Sequence, residues 1–368
     1  MKRMTEQELM AYIAAAHPVD RDCMDRARRR QAELAKPPGS LGRLEDYAVA
    51  LAGIQGTVTP RAEKCRVLVF AADNGVVAQG VSSAPQSVTV QQSINMTRHV
   101  TGMSAMACHF GDSVVVTDVG VNAPTPEGVV NRKVRWSTGD ISREPAMTRQ
   151  QALEAMAAGM EAVEKAKAEG VDIVGIGEMG IGNTTTSAAV LAVLTGAAVE
   201  QVCGRGGGLT DEAFAHKKAV IDGAIRTHQP CKEDILDIIS KVGGLDIAAM
   251  CGAFMGCAVH QLPAVVDWYI SIVAALCAAR LCPAVKDVLY LSHASFEIGY
   301  QLAAAELGQV PPLGLGMRLG EGSGCVVMFR VLEAACAAMN EMATFSQAAI
   351  NDDYLADIRK GDAFTVTP

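Results

Sequence analysis

One carboxylate stands alone in a run of glycines near the end of the chain, Gly316-Met317-Arg318-Leu319-Gly320-Glu321-Gly322-Ser323-Gly324. Glycine admits backbone angles and close approaches that other residues resist. An acid on such a turn can point into a cleft with little bulk around it, which is where a general base belongs. An exposed loop acid fits the same pattern, and the motif alone leaves both readings open. A second acid sits in Gly175-Ile176-Gly177-Glu178-Met179-Gly180, after a branched apolar run. The spacing matches G-x-G-x-x-G. Glu178 would, however, bring negative charge to the spot reserved for a dinucleotide's pyrophosphate, which disfavours that reading.

The chain continues Gly180-Ile181-Gly182-Asn183-Thr184-Thr185-Thr186-Ser187 into an apolar helix. Hydroxyls at a helix start cap its free amides, and glycines leave such amides open to an anion. Three hydroxyls and an Asn in sequence favour phosphate or ribose contact over an ordinary cap. A second glycine cluster, Gly204-Arg205-Gly206-Gly207-Gly208, precedes a helix carrying Lys217 and Lys218. A lysine aimed back over that loop completes a phosphate cradle. A flexible loop before a helix with surface lysines is the equal alternative. Asp73-Asn74-Gly75 reads as a turn, His293 as a hydrogen-bonded structural histidine, and Gly243-Gly244-Leu245-Asp246 as a helix cap. The G-x-S-x-G elbow and the P-loop pattern are absent. So is the double-acid strand of enzymes that use phosphoribosyl pyrophosphate with magnesium.

These groups need a scaffold, and the apolar pattern supplies one. Short branched runs at 67–71, 114–116, 172–176, 265–266 and 288–291 each end in polar or glycine residues. Helical patterns lie between them, at 148–169, 184–196, 210–228, 245–261 and 269–281. This alternation predicts an α/β fold, a parallel Rossmann-like sheet with helices on both faces, whose ligands bind beyond the carboxyl ends of the strands. The large domain is expected over 61–324. Residues 1–60 with 325–350 are expected to form a small helical lobe, and 351–368 a polar tail.

Composition narrows the class. Half of the 368 residues are hydrophobic, 20% are charged and 4% aromatic, the profile of a well-buried α/β enzyme. The net charge is −8 and the longest basic run is Arg28-Arg29-Arg30, which argues against nucleic-acid binding. The eleven cysteines contain no C-x-x-C pair and read as small buried hydrophobes in a reducing cytosol, with no metal site. The N-terminal residues lack the apolar core of a signal peptide, and the uncharged run 268–279 falls short of the ~20 residues that span a bilayer. A cytoplasmic protein without membrane attachment is expected.

Four long motifs carry a family resemblance: Lys36-Pro37-Pro38-Gly39-Ser40-Leu41-Gly42-Arg43-Leu44-Glu45, Gly177 to Thr185, Lys241-Val242-Gly243-Gly244-Leu245-Asp246, and Met317 to Gly324. In this order they resemble the nicotinate-nucleotide–dimethylbenzimidazole phosphoribosyltransferases, which prepare the lower ligand of cobalamin. The resemblance implies transfer of phosphoribose from nicotinate mononucleotide to a benzimidazole nitrogen, with inversion at the anomeric carbon, by a homodimer that needs no cofactor. It makes Glu321 the general base and Glu178 the second active-site carboxylate. Gln92, Met179, Met317, Leu319 and Ala84 fall where the base pocket is lined. Gly180, Gly182, Asn183, Thr184, Gly206, Gly207, Lys217 and Ser295 fall near the phosphoribosyl group. Burial near Met317 and Leu319 is expected to raise the Glu321 pKa. Asn74 stands where many members carry His, and Ala84 where some carry a Ser that touches the base. These departures bear on the acceptor, for which a purine or a phenol competes with the benzimidazole. A non-catalytic nucleotide-binding paralogue is the other alternative, and retention of both acids speaks against it.

Overall fold

In the computed structural model, which describes residues 3–355, six strands form one parallel sheet. They are β1 (Cys65–Ala72), β2 (Ser113–Gly120), β3 (Val130–Asn131), β4 (Ile173–Met179), β5 (Ala264–Val266) and β6 (Leu289–Leu291). Their order is β3-β2-β1-β4-β5-β6, all neighbours parallel. The order reverses between β1 and β4. Connections leave such a switch point on opposite faces and open a crevice at the carboxyl ends.

β1 and β4 are apolar and buried almost throughout, as strands covered on both faces must be. The helices Leu245–His260 and Ser87–Thr97 both pack on β1 and β4. The β1–β4 register sets Phe70 opposite Glu178 and Ala71 opposite Met179. β4 thus runs past Gly177-Glu178, where a loop was expected. The ladder with β1 continues through those residues, and Glu178 is held on a strand. Next to it, β1 slips register against β2 between Ala71 and Ala72, a bulge of the kind that re-aims residues beside sites. β3 has two exposed residues, too few for an apolar run to announce.

The chain divides into two compact units, residues 3–17 with 64–328 and residues 18–63 with 329–355. The helical N-terminal stretch is two helices, Glu6–Ile13 and Arg21–Glu33, capped by Thr5 and Asp20 and separated around Pro18. The first helix belongs to the larger unit, where Arg149 pairs with Glu6 at 2.9 Å and the Tyr12 hydroxyl lies 3.2 Å from His260 Nε2. In the smaller unit, Cys23 and Ala27 pack with Ala48, Val49, Ala52, Ala335 and Met339. The first family motif folds there on an ion pair, Lys36 Nζ to Glu45 Oε1 at 2.7 Å, and the same oxygen accepts from Leu41 N–H at 3.0 Å. Of the expected tail, residues 356–368 lie outside the described residues. One helix, Ser323–Glu341, is long and apolar enough by composition to cross a membrane, and 56% of its apolar window is buried inside the protein, as in a core helix.

Candidate active site

The carboxyl ends of β4 and β5 deliver two buried acids. Glu178 occupies the penultimate position of β4, and Asp267 follows β5. Asn183 opens the Asn183–Thr195 helix just after β4. Its Nδ2 donates to Glu178 Oε2 and, at 3.0 Å, to Asp246 Oδ2 on the first turn of the Leu245–His260 helix. One amide therefore joins two carboxylates. Burial pushes the Glu178 carboxyl up to about 8; the Asn183 donor opposes this, and the charges of Asp246 and Asp267 add to it. Burial likewise raises Asp246 to about 6 and Asp267 to about 6. The result is a compact, buried acidic well.

Glu321 closes the well from the 316–324 turn. Three successive residues adopt left-handed backbone, Gly320 at φ 82°, Glu321 at φ 65° and Gly322 at φ 91°. For a non-glycine residue this conformation costs about 1–3 kcal/mol and persists only where surroundings enforce it. Here they do. A Cβ on Gly320 would lie 2.6 Å from Glu178 Oε1, and one on Gly322 would lie 2.5 Å from Val67 Cγ1. On β4, a Cβ at Gly177 would strike the Glu321 carbonyl oxygen at 2.7 Å. The turn thus lies flat against the strand. The Asp267 carboxylate fastens it, accepting from Gly322 N–H at 2.8 Å and from Gly324 N–H at 2.6 Å. Glu321 N–H reaches Glu178 Oε1 at 3.4 Å.

The Glu321 side chain is 6% exposed. Its Oε1 accepts from Gln92 Nε2 at 3.2 Å, and Asn95 Nδ2 fixes that amide by donating to Gln92 Oε1 at 2.9 Å. Oε2 is buried without a hydrogen-bond partner of good geometry. Burial raises the proton affinity of this carboxyl, against the lowering influence of Thr101, Gln92 and the Met103 amide. A carboxylate with raised proton affinity is a better base toward a bound ligand than a solvated one.

The second glycine cluster, 204–208, lies between the Asn183–Thr195 and Asp211–His228 helices in the chain. Lys217 is 1% exposed, and its Nζ donates to Thr184 Oγ1 at 2.9 Å and to Gly204 O at 3.1 Å. Burial lowers its pKa, while neighbouring Glu297 favours the charge. Glu297 Oε1 accepts from Gly206 N–H at 3.0 Å, and its own N–H donates to Ser295 Oγ at 3.1 Å. Beside them opens a cavity of about 540 Å³ whose lining includes three cations, Arg205, Lys218 and Arg318, two acids, Glu200 and Glu297, and the rings of Phe214 and Phe296. Cations outnumber acids there, which suits an anion.

The fold therefore gathers Glu178, Gly180, Gly182 and Asn183 beside the switch point. A Cβ on Gly180 would meet Ala72 O at 2.4 Å, and one on Gly182 would meet Val77 Cγ2 at 2.6 Å. Thr184, Lys217, Gly206 and Ser295 converge on the second loop. Gly207 lies there too; a Cβ on it would be 3.5 Å from Ser83 Oγ, next to Ala84. The helix after Gly182 has no side-chain cap; Asn183 is committed to carboxylates, and Thr185 and Ser187 are buried. Two expectations need correction. Leu319 is 52% exposed and Met317 only half-buried, so burial of Glu321 comes from β4, Gln92 and the Thr101–Met103 segment. Gly243-Gly244 provides no side-chain cap either, and Asp246 instead joins the acidic well. Asp246 reads in the sequence only as part of a cap, and Asp267 and Glu297 carry no role there. An Asp immediately after a branched run, as in Val265-Val266-Asp267, was the available signal for the second of these.

Similarity to known proteins agrees with this geometry. A family model described as phosphoribosyltransferase matches residues 16–350. A nicotinate-nucleotide–dimethylbenzimidazole phosphoribosyltransferase of Clostridium perfringens is 48% identical over 349 residues, 95% of this chain and 97% of that protein. One of Acetivibrio thermocellus is 45% identical over 328 residues, covering 89% and 93%. The crystal structure of the enzyme of that name from Thermus thermophilus superposes with a TM-score of 0.85 at 38% identity, covering 90% of this chain and 99% of that one. With its parallel sheet and its motifs in place, the chain belongs to the nicotinate-nucleotide–dimethylbenzimidazole phosphoribosyltransferase family.

Proposed function

We propose that the protein transfers 5-phosphoribose from nicotinate mononucleotide to 5,6-dimethylbenzimidazole, releasing α-ribazole 5′-phosphate and nicotinate. The observation that carries this reading is the Glu321 carboxylate, buried, with Oε1 held by Gln92 and Oε2 free to accept a proton. The leaving pyridinium is already cationic and departs without a proton donor. As its bond to the anomeric carbon lengthens, that carbon becomes oxocarbenium-like. Fixed carboxylates nearby stabilise positive charge far better than water would, because they need no reorganisation. Asp246 provides that environment, and Glu178 joins it as it ionises toward pH 8.

The acceptor's imidazole nitrogen attacks from the opposite side and gains positive charge. Glu321 Oε2 takes the proton from the other ring nitrogen, which leaves a neutral product. General-base help of this kind is worth ~10²–10⁴-fold. Lys217, poised under the second glycine loop with Thr184, supplies the positive charge for the 5′-phosphate, and Arg205, Lys218 and Arg318 steer it in. Holding both substrates in line contributes at least as much again.

The protein works in the cytoplasm as a homodimer, to be checked by light scattering on the purified chain. The reaction is tested chromatographically: nicotinate must appear from nicotinate mononucleotide only when dimethylbenzimidazole is present, with α-ribazole phosphate in equal amount. Release without base, or none with it, contradicts the reading. Competition with adenine and p-cresol measures acceptor choice, and the benzimidazole is expected to win.

A further inference from the structure

We propose that Asp267 is a positioning residue for the reaction, its carboxylate holding Glu321 at the attack site by gripping the backbone on the C-terminal side of the turn. The inference rests on the reading of Glu321 as the base. One Asp267 oxygen accepts from Gly322 N–H at 2.8 Å and the other from Gly324 N–H at 2.6 Å. These amides flank Ser323, immediately after the left-handed Glu321. Glu321 and Gly322 place two consecutive left-handed residues there, and among the described residues Asp267 is the side chain that accepts from both amides.

Asp267 is itself anchored. Its backbone N–H donates to Ser271 Oγ at 3.3 Å, and its carbonyl accepts from Ser292 Oγ at 2.7 Å. The chain from β5 thereby transmits the position of the sheet to the turn. A role as a mere cap for the Ser323–Glu341 helix would make the same two hydrogen bonds, since the amides belong to its start. The two roles differ in what they do to turnover. A cap sets helix stability; a positioning residue sets where the Glu321 carboxylate sits, and a misplacement of about 1 Å costs on the order of 10²-fold in rate.

The test is a double-mutant cycle on the full-length enzyme with Asp267→Asn, Glu321→Gln and the pair, measuring kcat and both KM values in the nicotinate-release assay. Asp267→Asn keeps the shape, retains one acceptor oxygen and turns a donor toward the second amide. The proposal predicts a fall in kcat of about 10–100-fold with the KM for nicotinate mononucleotide changed less than about threefold. It also predicts that the pair is no slower than Glu321→Gln alone, because Asp267 acts through Glu321. Multiplicative losses in the pair, or an Asp267→Asn enzyme with wild-type kcat, overturn it. If Glu321→Gln by itself keeps wild-type turnover, the base reading fails instead, and the two failures are told apart. Should Asp267→Asn not fold, the same cycle is run with Asp267→Ser, which keeps one acceptor oxygen: a kcat loss that vanishes in the Glu321→Gln background supports the grip, and a loss that persists there overturns it.

Discussion

The two glycine-rich loops have similar composition and opposite physical reasons for it. Around Glu321, glycine is required by contact. A Cβ at Gly324 would lie 2.4 Å from His293 Nδ1 and 2.6 Å from Ser292 Oγ, and Gly320 and Gly322 are as tightly confined. Around Lys217, Gly204 is confined too, since a Cβ on it would lie 1.6 Å from Glu297 Oε2, but from Gly206 to Gly208 glycine serves conformation and openness. Gly206 and Gly208 have φ of 57° and 110°, and nothing lies within 4 Å of a Cβ on Gly208. The first loop fixes an acid against a strand. The second leaves a cationic rim through which an anion can enter. A substrate with a cationic ring at one end and a phosphate at the other needs both: a buried acidic well for the reacting centre and an open basic mouth for the handle.

The contrast can be broken by adding single methyl groups. Gly324→Ala is expected to destabilise the protein by about 3 kcal/mol in urea denaturation and to abolish most turnover, since His293, Ser292 and Asp267 cannot all yield. Wild-type stability would show the turn to be slack. Next in size, Lys217→Met should raise the KM for nicotinate mononucleotide by ~10²-fold while kcat changes only a few-fold, because the lysine holds the phosphate in ground and transition states alike. A kcat loss at unchanged KM would place Lys217 at the reacting centre.

The acidic well also sets a pH dependence. The folded-state pKa of Glu178, about 8, lies above the ordinary value of 4.5, so the native protein holds a proton that the unfolded chain has lost. Stability from this group is full below pH 4.5 and is lost as pH rises through about 8. Glu178→Gln should therefore raise the melting temperature relative to wild type at pH 8.5 and not at pH 4.5. The kcat/KM of the wild type should move the other way, rising as the acids ionise. Equal melting-temperature differences at the two pH values would mean that Glu178 is not buried with its proton. Smallest of all, Gly207→Ala should change stability by less than about 0.5 kcal/mol, since its nearest neighbour, Ser83 Oγ, would be 3.5 Å away.

The layered fold was legible because strands buried on both faces must be continuous apolar runs, and those runs end in polar residues at the right places. Glu321 and Glu178 were legible because acids are conspicuous among glycines. What was not legible depended on three-dimensional register. Gly177 reads as a loop glycine, yet it lies within β4, bare so that the Glu321 turn can rest on it. Asn183 reads as a phosphate or ribose contact, and nothing local announces that its Nδ2 also joins Glu178 to Asp246, the latter 63 positions away. Leu319 reads as a residue that buries the acid, but it is half open to solvent, with its Cδ2 2.8 Å from where a Cβ on Gly102 would stand. Local pattern finds elements; it does not report which amide a distant carboxylate will hold.

The most direct test is the turnover of purified Glu321→Gln at saturating nicotinate mononucleotide and dimethylbenzimidazole. The amide keeps the size of the side chain and an oxygen for Gln92, but it cannot accept the azole proton. The account predicts a kcat lower by ~10²–10⁴-fold with an unchanged fold by circular dichroism. A variant that turns over at the wild-type rate would contradict it.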